Sequence, residues 1–265
     1  MPFFDRAGVR LHYVEDGEGV PLLLLHGFPL ASQSFRHTLG AFAYGVRTIA
    51  IDHRGFGESA LGPDAASTME MLASDALALL DHLKIKVAFV AGVSMGGYVA
   101  MALAKLAPDR VNGLVLIDTQ AFPDDEAARD KREATALDVL AHGSGVLVSA
   151  MLPKLFSAKV DAATRSETEA IIRGTNPAAA AAALRGMALR EDAHDVLAKF
   201  EGPALVVVGE KDEITPLAKA EAMLEKLARG RLEILPGAGH LSNQEAPEAF
   251  HRVLYPFLGS GSTLD

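Results

Sequence analysis

Apolar residues in this chain fall into short unbroken runs, and between the runs they fall into stripes. The runs "PLLLLHG", "VRTIAID", "VAFVAGV", "LVLID", "PALVVVG" and "RLEILPG" are near-continuous and end in glycine or aspartate. An unbroken run of this length predicts a strand buried on both faces, as in a parallel sheet. One earlier segment behaves otherwise. "VRLHYVE" puts Val9, Leu11 and Tyr13 on one side and polar neighbours, His12 among them, on the other, as a half-exposed strand does.

The stripes have helical period. Met69, Leu72, Ala73, Ala76, Leu79, Leu80 and Leu83 recur at three and four, and Ser67 followed by Glu70 reads as a capping box at the start. "GGYVAMALAKLAP" predicts a helix stopped at Pro108. "PLAKAEAMLEKLARG" predicts another, capped by Thr215 with Pro216 in its first turn, and "APEAFHRVLYPFL" a last one that kinks or ends near Pro256. Strands alternating with helices predict an α/β fold with a doubly wound parallel sheet. The rhythm breaks over residues 121–195, where "DDEAARDKREATALDVLAHG", "GVLVSAMLPKLF", "DAATRSETEAIIRG" and "NPAAAAAALRGMALR" are all helical in composition. That stretch is expected to be a helical insertion carried by a core made of residues 1–120 and 196–265, with "GSGSTLD" a polar, mobile tail.

Composition narrows the function. The 265 residues are 49% hydrophobic, enough for a buried core, and the net charge of −9 would repel a polyanion, so nucleic acid is not an expected partner. There is no cysteine, hence no disulfide, no thiolate nucleophile and no cysteine metal site; no histidine pair has helical ligand spacing either, so no metal is expected. "MPFFDRAGVRLHYVEDG" lacks the pattern of a signal peptide, and "PLLLLHGF" is far shorter than the roughly 20 residues of a spanning helix. A soluble, cytoplasmic protein without membrane insertion is expected. "GFGESA" fits a dinucleotide-binding pattern by its letters, yet Asp52, His53 and Arg54 separate it from the strand and "LGPD" follows where a helix should open. It reads as a structural turn, and no cofactor is expected. The charged "DDEAARDKRE" reads as the solvated face of a helix.

The candidate chemistry lies in "AFVAGVSMGGYVA". Chance supplies on the order of 0.1 glycine–any–serine–any–glycine matches in such a chain, so the letters alone mean little. Their position means more, because Ser94 stands where a strand becomes a helix, between Gly92 and Gly96. A turn that sharp brings residues two before and two after the serine together and lifts the side chain above the strand end. The alternative is a tight turn with a solvent-facing serine. A serine nucleophile needs a base, and His240 in "LPGAGHLSNQEAP" follows the last strand on a glycine-rich loop at the same sheet edge. The base needs a carboxylate, and Asp212 in "VVVGEKDEITP" is favoured over two rivals, Glu210 and Asp118, the latter ending "LVLID". Asp212 could instead bond only the turn backbone ahead of the next helix. Oxyanion donors are expected at the backbone N–H groups of Met95 and of Phe28 in "HGFP", with His26 bracing that loop. Met151, Leu152, Leu155, Phe156 and Met187 are candidates for an apolar substrate pocket, or else are the insertion's own core.

Taken together, "LLHGFP", "DHRGFGES", "GVSMGG", "GEKDEITP" and "GAGH" resemble the α/β-hydrolase superfamily over nearly the whole chain. The resemblance implies an eight-stranded, mostly parallel sheet with a helical cap after the sixth strand. It sets Ser94, Asp212 and His240 on the family's nucleophile, acid and base, and Phe28 and Met95 on its oxyanion donors. The expected function is a serine hydrolase that cleaves small hydrophobic carboxylic esters. Lactone opening, carbon–carbon hydrolysis, cofactor-free perhydrolysis and a hydrolase-like small-molecule receptor are the alternatives. Dehalogenase and epoxide hydrolase relatives carry an aspartate where Ser94 stands, and no tryptophan is present to bind a halide.

Overall fold

In the computed structural model, which describes residues 2–42 and 44–260, the apolar runs form one sheet of eight strands. In chain order the strands are β1 (Phe3–Arg6), β2 (Val9–Asp16), β3 (Glu18–Leu25), β4 (Tyr44–Ile51), β5 (Ala88–Val93), β6 (Val111–Ile117), β7 (Ala204–Gly209) and β8 (Gly230–Leu235). They lie in the spatial order β1-β2-β4-β3-β5-β6-β7-β8, and β2 alone runs against its neighbours. The central strands are the most continuous in sequence, and they are the most buried. Every residue of β5 and β7 is inaccessible, as are Leu22–Leu25 of β3. Each such leucine contributes about 1.5–3 kcal/mol by leaving water. The edge strand β8 is half-exposed, and Arg231 and Glu233 pair on it, which blunts the edge against further strand addition.

Helices α1 (Met69–His82) and α2 (Met95–Leu106) pack on one another, and α2 also packs on β3, β5 and β6. Between β6 and β7 come α3 (Glu126–His142), α4 (Gly145–Leu155), α5 (Ala162–Gly174), α6 (Pro177–Ala188) and α7 (His194–Lys199), with α3 against α6 and α4 against α5. The chain closes with α8 (Leu217–Leu224), the single turn α9 (Ser242–Glu245) and α10 (Pro247–Ser260). Helix α3 buries only Ala136 and Val139, so most of its charged start is exposed, but Asp124 ahead of it is buried and pairs with Arg132 and, at 2.7 Å, with the buried Arg190.

Several local expectations change. Strand β1 is too short and too polar for the pattern to reveal; it forms because it pairs with β2. The cap of α1 is Thr68, whose hydroxyl accepts from Met71 N–H at 3.2 Å, while Ser67 N–H is spent on the Ala182 carbonyl of α6. Pro216, not Thr215, precedes α8, which ends at Leu224. Helix α10 runs through Pro256, held by the buried face Phe250, Leu254, Phe257 and Leu258. Helix α7 leaves no signal in the sequence, because six residues cannot display a period. The polar tail falls on residues 261–265, outside those described, except for Gly259 and Ser260 at the end of α10.

His12 is the clearest reversal. It is buried, not exposed, because the loop after β4 folds over that side of β2. Asp52 is the hub of this loop. Its carboxylate takes His12 Nδ1 at 2.7 Å, Ser32 N–H at 2.6 Å and Glu58 N–H at 3.0 Å. Arg54 next fastens the loop to α1 by a buried fork onto Asp75, at 2.8 and 2.7 Å. Asp75→Ala removes both short bonds and leaves the buried guanidinium only the long contact to the exposed Asp64 at 3.4 Å, so it should cost about 3–5 kcal/mol in urea unfolding. The conservative Asp75→Asn should cost less.

Candidate active site

The turn after β5 is tight enough to demand glycine. A methyl at Gly92 would overlap the Gly96 carbonyl, and one at Gly96 would overlap the carbonyl oxygen of Leu25 at the end of β3. Ser94 itself has φ of 52°, a left-handed conformation that a residue with a Cβ adopts at a cost. What holds it there is backbone bonding: its N–H donates to Ile117 O of β6 at 2.9 Å, and its own carbonyl accepts from Thr119 Oγ1 at 2.8 Å. The side chain is half-buried and points to His240.

His240 lies on the loop between β8 and α9 and is almost wholly buried. Its Nε2 is 2.9 Å from Ser94 Oγ, and its Nδ1 is 2.9 Å from Asp212 Oδ2. With Nδ1–H donating to the carboxylate, Nε2 is left free to accept the serine proton. Asp212 sits past β7 and is also buried. Its Oδ1 accepts the N–H groups of Ile214 and Thr215 at 2.8 and 2.9 Å, and its Oδ2 accepts the Thr215 hydroxyl at 2.6 Å. Asp212 therefore binds the turn backbone and the histidine together. Burial pushes its carboxyl up, but the bonds from His240 and Thr215 outweigh it and hold it below the ordinary value.

The rival acids are elsewhere. Glu210 is exposed, bonds Gly237 N–H at 2.7 Å and pairs with Lys211. Asp118 is fully buried close to the site, but its carboxylate is bound to Gly209 and Ser242, not to His240.

The loop after β3 runs against the turn. A Cβ on Gly27 would stand 3.3 Å from Ser94 Cβ, which brings Phe28 close to the serine, while Met95 opens α2 directly behind it. His26 Nδ1–H donates to Gly27 O at 3.0 Å, and Nε2 accepts His53 N–H at 3.0 Å. Both nitrogens are committed, so the ring is neutral, and burial lowers its pKa further. Of the apolar candidates, Leu155 and Phe156 adjoin the histidine loop. Leu155 O accepts from Leu241 N–H at 3.0 Å, and Phe156 backbone stands where a Gly239 Cβ would reach, at 2.8 Å. Leu152 and Met187 are buried in the same continuous core, Met151 is partly buried, and Met187 Sδ receives Arg132 Nη1 at 3.4 Å.

Two partners escaped the sequence reading. Thr215 reads as a helix cap in the sequence, but its hydroxyl donates to Asp212 Oδ2, while its N–H completes the Asx-turn at Asp212 Oδ1. Glu245 was not singled out at all; it binds Gly239 N–H at 2.8 Å and both the N–H and the hydroxyl of Ser157, between α4 and α5. Among the described residues no cluster of His, Asp or Glu could hold a metal ion, and no helix is long and apolar enough to cross a membrane.

A family described as alpha/beta hydrolase fold matches residues 20–247. The chain belongs to the α/β-hydrolase family. A thermophilic esterase from Thermogutta terrifontis has 34% sequence identity and a TM-score of 0.94, over 98% of this chain and 97% of that one. The enol-lactonase from Burkholderia xenovorans LB400 has 27% identity and a TM-score of 0.90, over 97% and 100%. The 2-hydroxymuconate semialdehyde hydrolase of Pseudomonas sp. (strain CF600) is 28% identical, over 95% of this α/β-hydrolase and 91% of that enzyme.

The lowered pKa of Asp212 carries a stability signature. A carboxyl with a depressed folded pKa adds stability above the unfolded pKa, and loses it as pH falls through the folded value. Thr215→Val removes one donor, so it should destabilise the fold at neutral pH by about 1.5–3 kcal/mol. The gap from wild type should close on acidification, as measured by melting temperature against pH.

Proposed function

We propose that this α/β-hydrolase is a serine hydrolase that cleaves carboxylic esters through an acyl-enzyme. One observation carries the reading: His240 bridges Ser94 Oγ and Asp212 Oδ2, at 2.9 Å on each side. That is nucleophile, base and orienting carboxylate in hydrogen-bond series. The high identity and coverage of the Thermogutta esterase support the ester as substrate.

In the first half-reaction Ser94 Oγ attacks the carbonyl carbon as its proton passes to His240 Nε2. The carbonyl π pair moves to oxygen, where the N–H groups of Phe28 and Met95 receive the charge. The start of α2 adds the positive end of its dipole to that position. Asp212, already ionised, stabilises the imidazolium. Collapse of the tetrahedral species breaks the ester C–O bond, and His240 hands its proton to the departing alcohol. Water then attacks the acyl-serine, His240 takes its proton, and collapse releases the acid and restores Ser94.

The helices α3–α7 serve in this reading as a cap, whose Leu155 and Phe156 backbone adjoins the loop that carries His240. The cargo is accordingly a small molecule with a hydrophobic acyl or alkyl group, acted on without metal or cofactor in a soluble, cytoplasmic setting. A lactone is the second reading, favoured by the full-length likeness to an enol-lactonase; the same steps open a ring when the leaving alcohol stays tethered.

Steady-state hydrolysis of nitrophenyl esters of graded acyl length tests the proposal. Ser94→Ala should lose about 10⁴–10⁶ in turnover, and Asp212→Asn about 10⁴. Asp118→Asn should lose less than Asp212→Asn. Ester turnover that survives Ser94→Ala would overturn the mechanism; no turnover of esters with fast opening of lactones would select the second reading.

A further inference from the structure

Asp118 is a fully buried carboxylate that the acyl-enzyme chemistry does not consume. It stands one residue beyond β6, as Ser94 stands one residue beyond β5. Its N–H donates to Val207 O of β7 at 2.9 Å, and its φ of 45° turns the side chain out of the strand line. A left-handed aspartate costs energy that a mere surface turn would have no reason to retain. The carboxylate then spans two loops. Oδ1 accepts Gly209 N–H at 2.8 Å, three positions before Asp212, and Oδ2 accepts the N–H and hydroxyl of Ser242 at 2.9 and 2.6 Å, two positions after His240.

We propose that Asp118 is a positioning residue, a clamp that joins the loop carrying Asp212 to the loop carrying His240 so that both reach Ser94 in register. The proposal rests on the serine-hydrolase reading above. Elsewhere the two loops are joined by Lys211 N–H to Ala238 O at 2.8 Å and by Gly237 N–H to the Glu210 carboxylate at 2.7 Å, but both bonds lie before His240 in the chain, and Asp118 ties down the segment that follows it. Displacement of a reacting group by about 1 Å costs on the order of 10² in rate. Each of the three donors is a short-range tether against such displacement.

The clamp also has an electrical side. The ionisable groups that face Asp118 are Asp212, from the loop after β7, and His240, from the loop after β8. Burial, reinforced by the negative charge of Asp212, pushes the Asp118 carboxyl up to about 7, against the opposing effects of His240, Ser242 and Gly209. Its ionisation as pH rises brings a second negative charge towards His240. That charge favours the imidazolium which forms as Ser94 gives up its proton. Reaction at Ser94 should therefore carry an ionisation near 7 that belongs to Asp118. The sign for stability is the reverse of that for Asp212. A carboxyl whose folded pKa is raised favours the fold below its unfolded pKa, and that advantage is lost as pH rises through about 7.

The experiment is the rate at which a fluorophosphonate ester labels Ser94, followed across the neutral pH range in wild type, Asp118→Asn, Ser242→Ala and Ser94→Ala. Asparagine keeps the shape but cannot ionise, and because its amide nitrogen only donates, it can accept from one of the two loops and not from both. Asp118→Asn should label about 10–100-fold more slowly than wild type and lose the inflection near 7. Ser242→Ala keeps the carboxylate and its bond to Gly209, so it should fall between, with the inflection retained. A folded Asp118→Asn that labels at the wild-type rate with the wild-type pH profile overturns the clamp. Should Asp118→Asn fail to fold, Ser242→Ala decides: slower labelling supports the clamp and unchanged labelling overturns it. Wild type that labels no faster than Ser94→Ala overturns the hydrolase reading and the clamp with it, whereas labelled wild type beside an undisturbed Asp118→Asn overturns the clamp alone.

Discussion

The hydrogen bond from Ser94 N–H to the Ile117 carbonyl is the interaction on which the site is built. It continues the ladder between β5 and β6 one residue past the last apolar position, at the point where the chain reverses into α2. A serine pinned there must take a positive φ, and the following turn must pass so near to β3 that Gly96 has no room for a side chain. Gly97 is confined in the same way by Thr119, whose hydroxyl holds the Ser94 carbonyl. The geometry of Ser94 is thus set by backbone contacts between strand ends, and these depend on the register of the central sheet. Buried leucines and valines fix that register, since a slip of one residue would turn each strand over.

Two buried aspartates near one histidine are driven in opposite directions. Asp212 has four donors, one of them His240, and is held below the ordinary carboxylate range; Asp118 has three donors, but complete burial and then the facing charge of Asp212 push it up to about 7. Neighbouring acids with separated pKa values divide labour, because the ionised one stabilises positive charge and the other can change state. The division here follows from which carboxylate His240 approaches. It does not follow from distance along the chain.

Most of the sheet was legible because its strands are apolar on both faces and end on residues that turn. That Ser94, His240 and Asp212 come together was legible because each follows a strand at the same sheet edge, and strand ends can be read from hydrophobic pattern. What could not be read depends on contacts across the chain. His12 alternates like an exposed residue, and only the loop around Asp52, some 40 residues away, buries it. Thr215 looks like a helix cap because threonine before proline often is one, yet its hydroxyl is taken by the carboxylate three positions earlier. Asp118 also follows a strand, and that place alone makes it a candidate partner for His240. Its real partners, Gly209 and Ser242, are set by the fold and leave no spacing signal.

The helices between β6 and β7 are fastened to the sheet at specific points. Glu245 grips Ser157 and Gly239 at once, Thr175 donates to Pro29 O at 2.9 Å, and Arg36 reaches Gln244 and Thr164 at 3.2 and 3.1 Å. Gly143, at the junction of α3 and α4, has no atom within 4 Å of where a side chain would begin. Lineages and libraries therefore meet two kinds of ground in one segment. A side chain at Gly143 would meet open space, so the segment can grow there as long as the insertion stays ahead of Ser144, which is buried and donates to the Thr175 carbonyl. A deletion or graft that crosses Ser157 pulls on the residue next to His240, so recombined versions of this protein will inherit their seams from those anchor points and not from the helix boundaries.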